Sequence, residues 1–79
     1  MTRYYFHTSD GEYDVDDIGV ELADDRAARR EAIRYGGDIL SNEPDLLSNA
    51  HGLRIDVTDD RDAHCFAIVI RVVSDLITA

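Results

Sequence analysis

Apolar and polar positions alternate in several stretches of this chain and fall at helical spacing in one. From Arg3 to Thr8 the order is polar, Tyr4, Tyr5, Phe6, polar, polar. Strand geometry places Tyr4 and Phe6 on one side and Arg3, Tyr5 and His7 on the other. Ser9-Asp10-Gly11 then supplies turn chemistry. Tyr13 to Leu22 reads as a second, imperfect strand in which Ile18, Val20 and Leu22 alternate and Gly19 marks a bulge. Leu53 to Thr58 alternates cleanly, with Leu53, Ile55 and Val57 inward. Asp59 to Asp62 forms a hairpin loop, and His64 to Val73 is the longest strand. Phe66, Ile68, Ile70 and Val72 make one face of it. Cys65, Ala67, Val69 and Val73 make the other, interrupted by Arg71.

Between the two strand pairs the period changes. At 100° per residue, Ala28, Ala32, Tyr35 and Ile39 share a narrow arc, widened on one side by Ile33, Gly36 and Leu40. Asp24 suits the N-cap, and Asp25 puts negative charge at the positive end of the helix dipole. Gly36-Gly37 either weakens this helix, at about 1 kcal/mol per Gly relative to Ala, or marks a close approach to the sheet. The helix is expected to end near Ser41 or Asn42. Pro44 suits the first turn of a short second helix, roughly residues 43 to 50, and Gly52 its end.

The order strand, strand, helix, short helix, strand, strand predicts one α+β domain over residues 1–79. An antiparallel sheet of about four strands carries one main helix on one face. A chain of 79 residues has room for one core and little more. The last strand is apolar on both faces, and this chain has little with which to cover the second one. That predicts a homodimer or an unidentified protein partner, with Cys65 and Val69 at the seam.

Charge narrows the partners. The net charge is −9, all eight bases are Arg, and residues 10 to 25 hold eight acids and no base. Such a chain is repelled by phosphates and anionic lipid, so neither nucleic acid nor membrane is expected as a partner. One Cys excludes an internal disulfide. The N-terminus lacks a signal-peptide core, and the longest apolar run stops at Arg71, so a cytoplasmic location is expected.

Few residues suggest chemistry. Asp10, Glu12, Asp14 and Glu21 fall at positions 1, 3, 5 and 12 of a calcium-loop frame, making them candidate ligands for a divalent metal. Val15 stands where that frame needs Gly, and the flanks read as strands. A solvated acidic turn is the simpler reading, and no metal or other cofactor is expected. Arg26, Arg30 and Arg34 share one helix face and form the basic cluster of the chain. Residues 24 to 38 hold four acids and four arginines, however, so pairs such as Asp25–Arg29 and Arg34–Asp38 are expected to neutralise it. His7, His51 and His64 lack metal spacing and read as surface or strand-edge residues; His7 and His64 meet only if their strands pair. Cys65 reads as an inert packed thiol. No nucleophile elbow, phosphate loop or dinucleotide fingerprint is present. The chain is therefore expected not to be an enzyme.

Arg3-Tyr4-Tyr5-Phe6-His7, Asp10-Gly11, the run Asp16 to Leu22, Asp24, Ala27-Ala28-Arg29 and Glu31-Ala32 together resemble a family of small uncharacterised bacterial proteins known as a domain of unknown function. The resemblance covers about half the chain and implies no activity or catalytic residues. A weaker similarity, in the stretch Gly19 to Asp24 leading to Ala28 and Ala32, is to HicB-like antitoxins, which occlude a small ribonuclease toxin. Physical roles account for most of the shared residues. Tyr5, His7 and Glu21, expected to point outward, are left as candidates for a surface function, together with Arg26, Arg30, Arg34, Cys65 and Val69. The sequence thus predicts a non-enzymatic protein-interaction or regulatory module, with an antitoxin-like inhibitor or a weak divalent-metal binder as the alternatives.

Overall fold

The computed structural model describes residues 1–48 and 51–73. The elements are β1 (Thr2–Ser9), β2 (Tyr13–Asp14), β3 (Val20–Leu22), α1 (Asp25–Asn42), a single 3-10 turn (Leu46–Ser48), β4 (Leu53–Thr58) and β5 (His64–Ile70). All pairings are antiparallel. The sheet runs β2-β1-β4-β5, and β3 joins the same edge of β1 as β2. The expected α+β sheet with one main helix is what forms, with five strands instead of four.

The core follows from the alternation. Tyr4 and Phe6 of β1 and Leu53, Ile55 and Val57 of β4 point to the helix side and are buried with Ala28 and Ala32 of α1. On β5, Phe66, Ile68 and Ile70 stand opposite Val57, Ile55 and Leu53 and pack against the same cluster. Burying a side chain of this size contributes about 1.5–3 kcal/mol, and Leu53, Ile55 and Val57 are the largest of the fully buried ones.

Helix α1 starts where Asp24 Oδ1 accepts the Ala27 amide at 2.9 Å. Tyr4 reaches the same end and donates its hydroxyl to Asp25 Oδ1 at 2.7 Å. That bond to a carboxylate is the main reason the Tyr4 phenol is pushed up to about 12. The helix runs unbroken through Gly36-Gly37. Ala28, Ala32 and Gly36 form a line of small residues on its buried side. A Cβ on Gly36 would meet Ile70 Cδ1 at 3.2 Å and Ile55 Cδ1 at 3.3 Å, whereas one on Gly37 would meet nothing within 4 Å. Gly36 is therefore the point of close approach. The helix stops at Asn42 because Pro44 cannot donate a helical hydrogen bond and restricts the residue before it. Glu43 accordingly leaves helical geometry, with φ −133°.

Several expectations are corrected. The second strand is not continuous: residues 15–19 leave the ladder between β2 and β3. The second helix is only the 3-10 turn, and the part of the expected segment at residues 49–50 lies outside the described residues. The last strand ends at Ile70, not Val73. Cys65 does not share a face with Ala67 and Val69. A register shift opposite Val57 and Thr58 turns it, with Phe66, against the core. Ile33 sits on the flank of the helix stripe and is 56% exposed. Asp25 is bonded to Tyr4, while Arg29 lies over the Phe66 ring at 5.8 Å, so the expected Asp25–Arg29 pair does not form. No helix among the described residues is long and apolar enough to cross a membrane.

Candidate functional site

The most distinctive local structure lies on the outer edge of β1. Thr8 pairs with Asp14 and Tyr4 with Val20. Residues 5–7 of β1 are thus spanned by residues 15–19, two more than a regular ladder allows. The excess loops out of the sheet edge. Backbone donors facing such a gap must find other acceptors, and Asp16 supplies them. Its Oδ2 accepts the Phe6 amide at 3.1 Å. Its Oδ1 accepts the amides of Ile18 at 2.9 Å and Gly19 at 3.1 Å. One carboxylate therefore closes the ladder and folds its own loop. Partial burial is the largest single influence on its pKa and pushes it up. The three amides and nearby His7 act together in the opposite direction, and the carboxyl ends below its ordinary value. Gly19 completes the turn with φ +75°. A Cβ there would lie 2.9 Å from Tyr4 O, Arg3 Cγ and Tyr5 Cε2, so only Gly fits.

His7 is tied into the same structure. Its Nδ1 accepts the Asp16 amide at 3.1 Å, which puts the ring hydrogen on Nε2, 3.0 Å from Thr58 Oγ1 on β4. Tyr5 lies nearly parallel to the ring and Tyr13 tilts against it, with centroids at 6.5 and 6.2 Å. His7 is consequently only 8% exposed. The expectation of an outward, strand-edge histidine is corrected: the loop and the two tyrosines enclose it. His7 and His64 lie on strands separated by β4. His64 Nε2 meets Asp56 Oδ1 at 3.0 Å, and Arg54 Nε meets both Asp56 oxygens at 3.0 Å. Arg54, opposed by partial burial and aided by His64, holds the Asp56 carboxyl below its ordinary value.

On the helix side of the loop lies an open groove of about 480 Å³. Phe6 and Tyr35 form one apolar wall, their rings edge to face with centroids 6.5 Å apart. Val15, Ile18 and Val20 form the other. These loop residues are well exposed, Ile18 at 77% and Val15 at 62%. Asp14, Asp16, Asp17, Glu31 and Arg34 supply the charges. Arg34 is clamped, with Nη2 at 2.6 Å from Glu31 Oε2 and Nη1 at 2.8 Å from Asp38 Oδ2. The expected Arg34–Asp38 pair forms.

The other sequence candidates do not converge. Asp14 faces Thr8 and Glu21 faces Arg3, five residues apart along β1, or roughly 17 Å at strand rise. Glu21 lies 3.4 Å from Arg3 Nη2, and Asp10 accepts the Glu12 amide at 3.3 Å within the turn. The flanks are strands, so the calcium-loop frame is not built. Among the described residues no three of His, Cys, Asp and Glu are grouped to hold a metal ion. Arg26 and Arg30 are exposed and make no ion pair among the described residues. Cys65 is half-buried, and burial, followed by the charges of Asp25 and Asp59, pushes its thiol pKa up. Val69 lies 53% exposed on the sheet face away from α1. Asp16, Thr58, Glu31 and Tyr35 were not among the sequence candidates for a site. The spacing Asp16-Asp17-Ile18-Gly19, a turn acid three residues before a glycine, was the one signal that pointed to Asp16.

No curated protein and no solved structure matches the chain, so the HicB-like similarity finds no support there. A family model does match, over residues 3–71, which takes in the five strands but for Thr2 of β1, the helix, the Asp16 loop and the groove. The chain belongs to that family, described as Domain of unknown function (DUF6894).

Proposed function

We propose that this protein is a non-enzymatic interaction module that works as a cytoplasmic homodimer, two copies joining along β5. The observation that carries this reading is the contrast between the two sheet edges. The β2/β3 edge is broken into pieces of two and three residues by the Asp16 loop. Short, interrupted edges resist strand addition. The β5 edge is seven residues long, has no strand on its outer side among the described residues, and carries no charge from Cys65 to Ile70. In a chain with net charge −9, such an uncharged edge is where a second copy approaches with least repulsion. Antiparallel pairing about Ala67 sets Phe66 against Ile68 of the other copy, apolar against apolar, with the two Ala67 side chains facing each other on the opposite face. Multi-angle light scattering at about 100 μM tests it. A dimer has twice the 8.9 kDa chain mass, and Val69→Lys, which puts a charge on that edge, is expected to return it to monomer. A wild-type chain that is monomeric throughout the concentration range sinks the reading.

The second reading, an inhibitor that masks a basic nuclease or toxin surface in the manner of an antitoxin, draws on the acidic rim of the groove, where Asp14 and Asp17 make no ion pair among the described residues.

A further inference from the structure

We infer that the groove between the Asp16 loop and α1 binds a short basic, partly apolar peptide segment of a partner protein. The inference rests on the reading of the chain as an interaction module, though not on the pairing at β5.

The groove has the size, chemistry and rigidity such a segment needs. Its volume of about 480 Å³ falls within the roughly 300–1,000 Å³ typical of sites that enclose a drug-sized ligand. That seats a few side chains and not a folded surface. Its apolar walls come from both sides, Tyr35 from the helix and Ile18 and Val15 from the loop. Ile18 contributes nothing to the core, and its exposure has no role in holding the fold. Exposed apolar side chains gathered along a groove mark interaction sites.

Charge selects the occupant. Four carboxylates line the groove against one guanidinium, and that guanidinium is held by Glu31 and Asp38. Asp16 is engaged by backbone amides, which leaves Asp14 and Asp17 on the rim as acceptors for an incoming Arg or Lys. An acidic peptide meets repulsion both here and from the whole chain of net charge −9. A segment alternating basic and apolar residues satisfies both halves of the site: its cations meet Asp14 and Asp17, and its apolar residues pack on Ile18, Val15 and Tyr35. The loop is already fixed by Asp16 and Gly19, so little ordering cost accompanies binding.

The test uses fluorescently labelled eight-residue peptides titrated against the full chain at low and physiological salt. The probes are alternating Arg-Leu, all-Arg and alternating Glu-Leu, with spermine as a competitor. The Arg-Leu peptide is expected to bind at least tenfold more tightly than either other peptide. Asp14→Asn with Asp17→Asn is expected to weaken it about tenfold, and so is Ile18→Ser alone. All three positions are exposed, and circular dichroism of each variant establishes that the fold is kept. Amide NMR shifts on binding are expected at residues 14–20 and around Tyr35. Absence of binding by the Arg-Leu peptide overturns the inference. So does equal binding by the all-Arg peptide with no effect of Ile18→Ser, which is charge attraction without a groove. Full displacement by spermine with shifts confined to Asp14 and Asp17 also overturns it in favour of a small-cation site. None of these outcomes bears on light scattering, so the dimer reading stands or falls separately.

Discussion

Adjacent glycines in α1 give a measurement in which identical substitutions have opposite outcomes. Replacing Gly by Ala inside a helix gains about 1 kcal/mol from backbone entropy, and Gly36 and Gly37 share that gain. Their surroundings differ. A methyl at Gly37 enters open space, so Gly37→Ala is expected to stabilise by up to about 1 kcal/mol, or roughly 4–8 °C in Tm for a domain of this size. A methyl at Gly36 arrives 3.2 Å from Ile70 Cδ1 and 3.3 Å from Ile55 Cδ1, closer than carbon atoms rest comfortably. Ile70 lies at the sheet edge and can turn aside. Ile55 is fully buried and has nowhere to go. Overpacking of this kind costs about 1–3 kcal/mol, which cancels or exceeds the helix gain. The two variants are therefore expected to differ by about 1–3 kcal/mol. Urea and thermal denaturation followed at 222 nm, at one fixed protein concentration, read the difference directly. A Gly36→Ala chain as stable as Gly37→Ala would refute the close approach of helix and sheet. A Gly37→Ala chain less stable than wild type would refute the unbroken helix.

Two further outcomes concern titration and reactivity. Asp16, Asp56 and Asp59 are all held below their ordinary value of 3.8, Asp59 chiefly by the Ala63 and Arg61 amides. In the folded state they bind protons less readily than in the unfolded chain. Their contribution is thus fully present above about pH 5 and is lost as pH falls through the ordinary value toward the depressed ones. Urea midpoints between about pH 6 and pH 2.5 are expected to fall at the acid end, less steeply in Asp16→Asn; a flat or rising acid limb contradicts the assignment. Cys65 packs against the core with its thiol pKa raised, so Ellman's reagent at about pH 8 is expected to react with the folded chain at least roughly tenfold more slowly than with the urea-unfolded chain. Equal rates would place the thiol outside the core.

The parts of this fold that follow from periodicity were legible in the residues. Leu53, Ile55 and Val57 alternate and are buried, Asp24 caps, and Ala28 and Ala32 face the sheet. Features that rest on a single hydrogen bond or a change of register were not. Alternation across Cys65 and Phe66 assumes a regular ladder, and the register shift beside Thr58 turned Cys65 inward against that count. Ile18, Val20 and Leu22 alternate as a strand should, but no periodic signal reveals that Asp16 takes the place of backbone acceptors and lifts residues 15–19 off the edge. The groove was out of reach for the same reason. It exists only once the loop is lifted and Tyr35, expected in the core arc, is left partly exposed beside it.

The closure of β1 by Asp16 separates two tasks that most sheet edges combine. The loop's position is set by the Asp16 carboxylate and Gly19, with His7 Nδ1 accepting the Asp16 amide and Arg3 Nη1 donating to the Ile18 carbonyl, and the bonds made at Ile18 come from its backbone and not from its side chain. Val15, Asp17 and Ile18 are therefore replaceable without dismantling the sheet. A lineage that keeps Arg3, His7, Asp16 and Gly19 can exchange those three side chains freely. It acquires new surface preferences on an unchanged scaffold, much as a tool handle accepts different blades.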